Sequence, residues 1–144
     1  MTKKTAQPDN DVDGRISRVT QYLRNTLREP PDYHRLAHLA HLSYSQLFRQ
    51  FKRHVGVSPQ QYVARQRLEY AKSLLTLNHL SVKEVAAQAG YPNQLYFSRR
   101  FQKATGRSPS QYRTDRLADP ERPLHPYSYE PGTYITPHTY GSFA

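Results

Sequence analysis

At 144 residues the chain has room for one compact unit or two very small ones, with no space for a catalytic domain of usual size beside them. Its 36% apolar and 22% charged residues are ordinary for soluble material, and the absence of cysteine excludes disulfides, thiolate-ligated zinc and thiol chemistry. The formal net charge of +10 falls wholly between Ser43 and Arg116, where thirteen Lys and Arg face only Glu69, Glu84 and Asp115. A field so confined points to a polyanion docking there; the plainer alternative is a solvated basic surface.

No apolar run approaches the ~20 residues that cross a bilayer. The N-terminus MTKKTAQPDN lacks the apolar core of a signal peptide, so a cytoplasmic protein without a membrane partner is expected. Residues 1–11 read as a disordered polar arm. Within and after it, Asp9–Gly14 (DNDVDG) imitates the start of a calcium loop. The Glu that should close such a loop would stand at position 20, which is Thr20, so Asp11 or Asp13 is expected instead to cap the next helix.

Ile16, Val19, Leu23 and Leu27 recur at steps of three and four, the pattern of an amphipathic helix that Pro30 and Pro31 stop. Asp32 to Ala40 reads as a second helix with Leu36, Leu39 and Ala40 inward. His34, His38 and His41 share one side of it, a spacing that suits a metal, but no carboxylate stands nearby to finish the set. Surface histidines beside a basic face, within reach of phosphate, are the preferred reading, and neither metal nor cofactor is expected.

Ser43 and Gln46 form a capping box ahead of a helix with Leu47 and Phe51 inside, and Gly56 ends it. Ser58, Pro59 and Gln61 open a long helix to about Leu77, with Tyr62, Leu68, Ala71 and Leu75 as its apolar stripe. Ser81 and Glu84 cap another helix, which Gly90 and Pro92 terminate. Asn93 caps the next, where Phe97 and Phe101 share a face.

Displaced by fifty residues, the second half falls on the first: Arg49 on Arg99, Phe51 on Phe101, Gly56 on Gly106, Ser58-Pro59 on Ser108-Pro109, Gln61-Tyr62 on Gln111-Tyr112. The fold class expected is therefore all-α, about seven helices in two helix-turn-helix subdomains, 12–77 and 78–117, joined by a long linker helix. Ser43–His54 and Asn93–Thr105 are the expected recognition helices. From 118 to 144 a Pro/Tyr-rich, non-helical tail follows, with Pro120, Pro123, Pro126, Pro131 and Pro137 among Tyr127, Tyr129, Tyr134, Tyr140 and Phe143. It reads as either disordered or an extended aromatic strap, with the strap favoured.

Gly90–Arg113 (GYPNQLYFSRRFQKATGRSPSQYR) and the SxxxLFRxFKxxxGxSPxxY pattern from Ser43 resemble the AraC/XylS family of bacterial transcription regulators. The resemblance covers about residues 12–117. It implies a seven-helix, two-unit DNA-binding domain that acts mostly by recruiting RNA polymerase. The short length is similar to the stand-alone members of the family, which implies binding as a monomer without a ligand switch.

By the same resemblance, base-reading positions are Ser45, Phe48 and Arg49 in the first unit and Gln94, Leu95, Tyr96, Ser98 and Arg99 in the second. Arg49 and Arg99 suit guanine, Gln94 suits adenine, and Phe48 and Leu95 suit thymine methyls. Lys52, Arg53, Arg100 and Lys103 are expected on phosphate. For Phe48, Leu95 and Tyr96 core packing is the alternative. The function expected is a sequence-specific regulator of transcription, an activator that reads double-stranded DNA. The alternative is a non-specific or architectural DNA binder, and an enzyme is the least supported reading.

Overall fold

Seven helices carry the described residues, 8–77 and 79–121, of the computed structural model, and no strand occurs among them. They are α1 (Pro8–Asn25), α2 (Tyr33–Leu39), α3 (Tyr44–Val55), α4 (Pro59–Leu75), α5 (Val82–Gln88), α6 (Gln94–Thr105) and α7 (Pro109–Ala118). The expectations for residues 1–7 and for the tail beyond 121 lie outside the described residues.

Local chemistry fixes most helix starts. Ser43, Ser58 and Ser81 each accept from the backbone N–H three residues on, while Gln46, Gln61 and Glu84 accept from the cap N–H in return. Asp32, Asn93 and Ser108 supply one-way caps. Gly56 and Gly106 close α3 and α6 in the left-handed conformation, at φ 102° and 79°.

Two starts and faces differ from the sequence expectation. α1 begins at Pro8 and runs straight through Asp9–Gly14, so Asp11 and Asp13 lie inside the helix rather than at its N-cap position. A calcium loop requires a sharp non-helical turn at that place. Asp13 instead pairs with Nδ1 of His54 on α3. On α2, Leu36, Ala37 and Ala40 form the inward face and Leu39 stands outside, 55% exposed. At 100° per residue Leu39 falls well away from the arc those three define.

Two hydrophobic cores share α4. The first gathers Ile16, Val19 and Leu23 of α1, Leu36 of α2, Leu47 and Phe51 of α3, and Tyr62 and Val63 of α4. The second takes Leu68, Ala71, Leu74 and Leu75 from the other half of α4 and packs them on Val85, Phe97, Phe101 and Tyr112. The fifty-residue repeat survives in three dimensions. Phe51 meets Tyr62 edge-on at 5.5 Å and 73°, and Phe101 meets Tyr112 edge-on at 5.3 Å and 83°. Such pairs add about 0.5–1.5 kcal/mol beyond the area they bury.

At the turns the register slips by one. Leu42 N–H reaches the Ala37 carbonyl as Tyr91 N–H reaches Ala86, a displacement of 49. The second turn is one residue longer before its cap, which restores fifty in the helices that follow.

α4 ends at Leu75, short of Leu77. Arg113 of α7 donates through Nε to the Leu75 carbonyl at 2.8 Å and through its terminal nitrogen to that of Leu80. It thereby satisfies the Leu75 carbonyl, one of the last four of α4, which have no partner inside the helix.

Candidate nucleic-acid interface

The core residues of α3 leave a defined outer face. With Leu47 and Phe51 fully buried, Ser45, Arg49, Lys52 and Arg53 are exposed on the other side. Phe48 lies between the two faces. Its half-buried ring stacks on Tyr44 at 4.6 Å and meets Tyr33 edge-on at 5.4 Å. His34 covers Tyr44 in turn at 4.3 Å, so an aromatic file runs from α2 onto the first turn of α3. Burial there raises the Tyr33 hydroxyl above its ordinary value, against the opposing pull of the Arg67 guanidinium.

α6 repeats the arrangement with different side chains. Phe97, Phe101 and Thr105 point inward, while Gln94, Leu95, Tyr96, Arg99, Arg100 and Lys103 are exposed and Ser98 is half-buried. Leu95 is 60% exposed and Tyr96 48%, so neither is a core residue. The Asn93 side chain accepts from Tyr96 N–H and fixes the start of the helix from which these groups project.

Electrostatics sorts the basic residues into two groups. Arg107 is spent on Asp115 at 2.7 Å and Lys72 on Glu69 at 3.1 Å. Arg67 and Arg113 are spent on backbone carbonyls. By contrast, among the described residues Arg49, Lys52, Arg53, Arg99, Arg100 and Lys103 have no carboxylate within ion-pair distance, and all six are exposed. Six cations without an ion-pair partner among the described residues thus lie on the outer faces of α3 and α6, where a phosphate backbone can neutralise them.

His34, His38 and His41 are exposed, and the described residues contain no cluster of three or more metal-ligating groups. Tyr44, at the head of α3, was not among the residues expected from sequence. Its place beside Ser43 suggested nothing; only the ring stack reveals it as part of the same exposed face.

A helix-turn-helix domain family matches residues 36–115, more than half of the chain. The chain belongs to the AraC family of transcription regulators. The arabinose operon regulatory protein of Escherichia coli (strain K12) is 35% identical over 103 residues, covering 71% of this chain and 35% of that protein. The HTH-type transcriptional activator RhaS of Escherichia fergusonii is 33% identical over 110 residues, covering 76% and 40%. The chain thus spans well under half the length of the curated relatives it matches.

Among solved structures, the DNA-binding domain of AdpA, a global transcriptional factor, was determined in complex with a target DNA. It superposes with a TM-score of 0.67 at 29% identity, over 75% of this chain and 98% of that one. This AraC-type domain is accordingly a DNA-binding element of a transcription regulator, and its relatives are regulators rather than enzymes. No helix among the described residues is long and apolar enough to cross a membrane.

Proposed function

We propose that the chain is a sequence-specific transcription regulator that binds one asymmetric promoter site as a monomer, acting from the cytoplasm. Two units, 12–77 and 78–117, lay α3 and α6 into successive major grooves on one face of the duplex. One duplex turn is about 34 Å. α4, with 17 residues, spans ~26 Å at 1.5 Å per residue and belongs to both cores, so together with the helices packed at its two ends it can hold the heads about one turn apart.

In this reading Ser45, Phe48 and Arg49 address one block of bases, and Gln94, Leu95, Tyr96, Ser98 and Arg99 the other. Arg49 and Arg99 pair with guanine edges, Gln94 with adenine, and Leu95 with a thymine methyl. Phe48 offers the part of its ring that the Tyr33–Tyr44 cluster leaves uncovered. Lys52, Arg53, Arg100 and Lys103 fix the register on phosphate. The observation that carries the reading is the pair of exposed, uncompensated basic faces with different side chains at equivalent places. Different heads make a directional site.

Activation through contact with RNA polymerase completes the proposal. It is supported by the likeness to RhaS, whose name describes a transcriptional activator.

Arg49→Ala and Arg99→Ala test the base-reading roles. Each should cost about 1–3 kcal/mol on the cognate site, relax preference in one block only, and leave affinity for random DNA nearly unchanged. Equal losses on cognate and random DNA would replace this reading with a non-specific binder.

A further inference from the structure

We infer that Gly90 and Arg67 form a joint that sets the angle between the two reading heads, and so determines which spacing of the two DNA blocks the protein accepts. This rests on the two-headed reading above and adds to it the residues that position one head against the other.

The turn between α5 and α6 does not stand free of the first unit. A side-chain carbon placed on Gly90 would fall far inside contact distance of the Leu27 backbone carbonyl oxygen and 2.7 Å from Arg67 Nε. Leu27 follows α1 and belongs with the first core, whereas Gly90 leads directly into α6. The backbone of one head is therefore seated on the backbone of the other, and glycine permits it twice over. It has no Cβ at the contact, and it adopts φ 95°, where side chains are strained.

Arg67 locks the seat from below. From the middle of α4 its Nε donates to the Leu27 carbonyl at 3.0 Å, and its terminal nitrogen donates to the Glu29 carbonyl at 3.1 Å. The planar guanidinium holds two carbonyls of the α1–α2 connection in one fork, which a lysine cannot reproduce. Without this fork, the carbonyl that faces Gly90 would lose its fixed place, and the heads would be related by α4 alone. A tether whose geometry is loose presents its second head at a lower effective concentration, although neither head has lost a contact to DNA.

The test uses the full chain, which has no cysteine of its own. Ser17→Cys on α1 and Ser110→Cys on α7 place spin labels on exposed positions of the two units. Pulsed electron spin measurements in this background should give one narrow distance distribution. Arg67→Met should broaden it, and Gly90→Ala should shift its centre, with helical circular dichroism preserved in the Arg67 variant. Unchanged distributions in both variants would overturn the joint.

The functional arm compares duplexes carrying both blocks at the selected spacing, the same blocks moved apart by one base pair, and each block alone. The original chain should discriminate the two spacings, whereas Arg67→Met should lose about tenfold on the selected spacing, equivalent to ~1.4 kcal/mol. Its affinity for each single block should stay within about twofold, the scale on which a loosened tether leaves each head's own contacts intact. Retained spacing discrimination in Arg67→Met would make Arg67 a merely structural residue and refute the proposal. If the original chain binds both blocks no better than one, the two-headed reading itself fails, whatever the label distances show about the joint.

Discussion

His41 and Gly90 occupy the same left-handed position in the two helix-turn-helix turns, at φ 58° and φ 95°, one with a side chain and the other without. Both follow the C-cap residue of a short helix, Ala40 or Ala89, and both precede the N–H that bonds back to Ala37 or Ala86. The second turn needs glycine for its close approach to Leu27, while the first holds a non-glycine residue in the strained region.

Relief of that strain is measurable. A non-glycine residue in this region costs ~1–2 kcal/mol, partly offset in a glycine variant by the greater freedom of the unfolded chain. The His41 side chain is exposed, and Arg15 bonds the backbone carbonyl there, which glycine retains. His41→Gly should therefore raise the melting temperature, by an amount corresponding to up to about 1 kcal/mol. A lower melting temperature would show that the imidazole contributes more than its backbone costs.

Acid should weaken the second unit through one cap. Hydrogen bonds from the backbone N–H and hydroxyl of Ser81 hold the Glu84 carboxyl below its ordinary value of 4.5. A carboxylate whose folded value is depressed stabilises fully above its unfolded value, and that stabilisation is lost as pH falls through the folded one. The equivalent boxes on α3 and α4 use Gln46 and Gln61, which do not titrate. Glu84→Gln should thus flatten the dependence of melting temperature on pH below about 4.5, the ordinary value of the group. An acid limb equally steep in the variant would assign that loss to other carboxylates.

Lys103 should behave differently from Arg99 although they share α6. A phosphate contact carries no sequence information, so Lys103→Ala should weaken cognate and random DNA alike. The slope of log affinity against log salt should fall in magnitude by about one. A loss confined to the cognate site would move Lys103 into the base-reading set.

The chain's local signals were legible and its long-range ones were not. Serine caps with Gln or Glu three residues on, a proline after the cap and a glycine at the helix end each act within a few residues, so Ser43, Ser58 and Ser81 announced their helices correctly. Leu39 misled because seven residues make barely two turns, too short a window to fix the phase of a stripe. The acidic run Asp9–Gly14 spells a loop but is itself part of the first turns of α1.

Arg67 and Arg113 carried no signal at all. Their partners lie 33–40 residues away and are backbone carbonyls, which any residue type supplies. At the site, the exposure of Arg49 and Arg99 followed from their phase against Phe51 and Phe101. The half-burial of Phe48 did not, because it depends on Tyr33 folding back from α2.

Selection of bound duplexes from random DNA tests the central claim most directly. Two unlike short blocks about one helical turn apart, always in the same order and orientation, are the predicted outcome. A palindrome would replace the monomer with a symmetric dimer, and a single block would leave one of the two heads without a reading role.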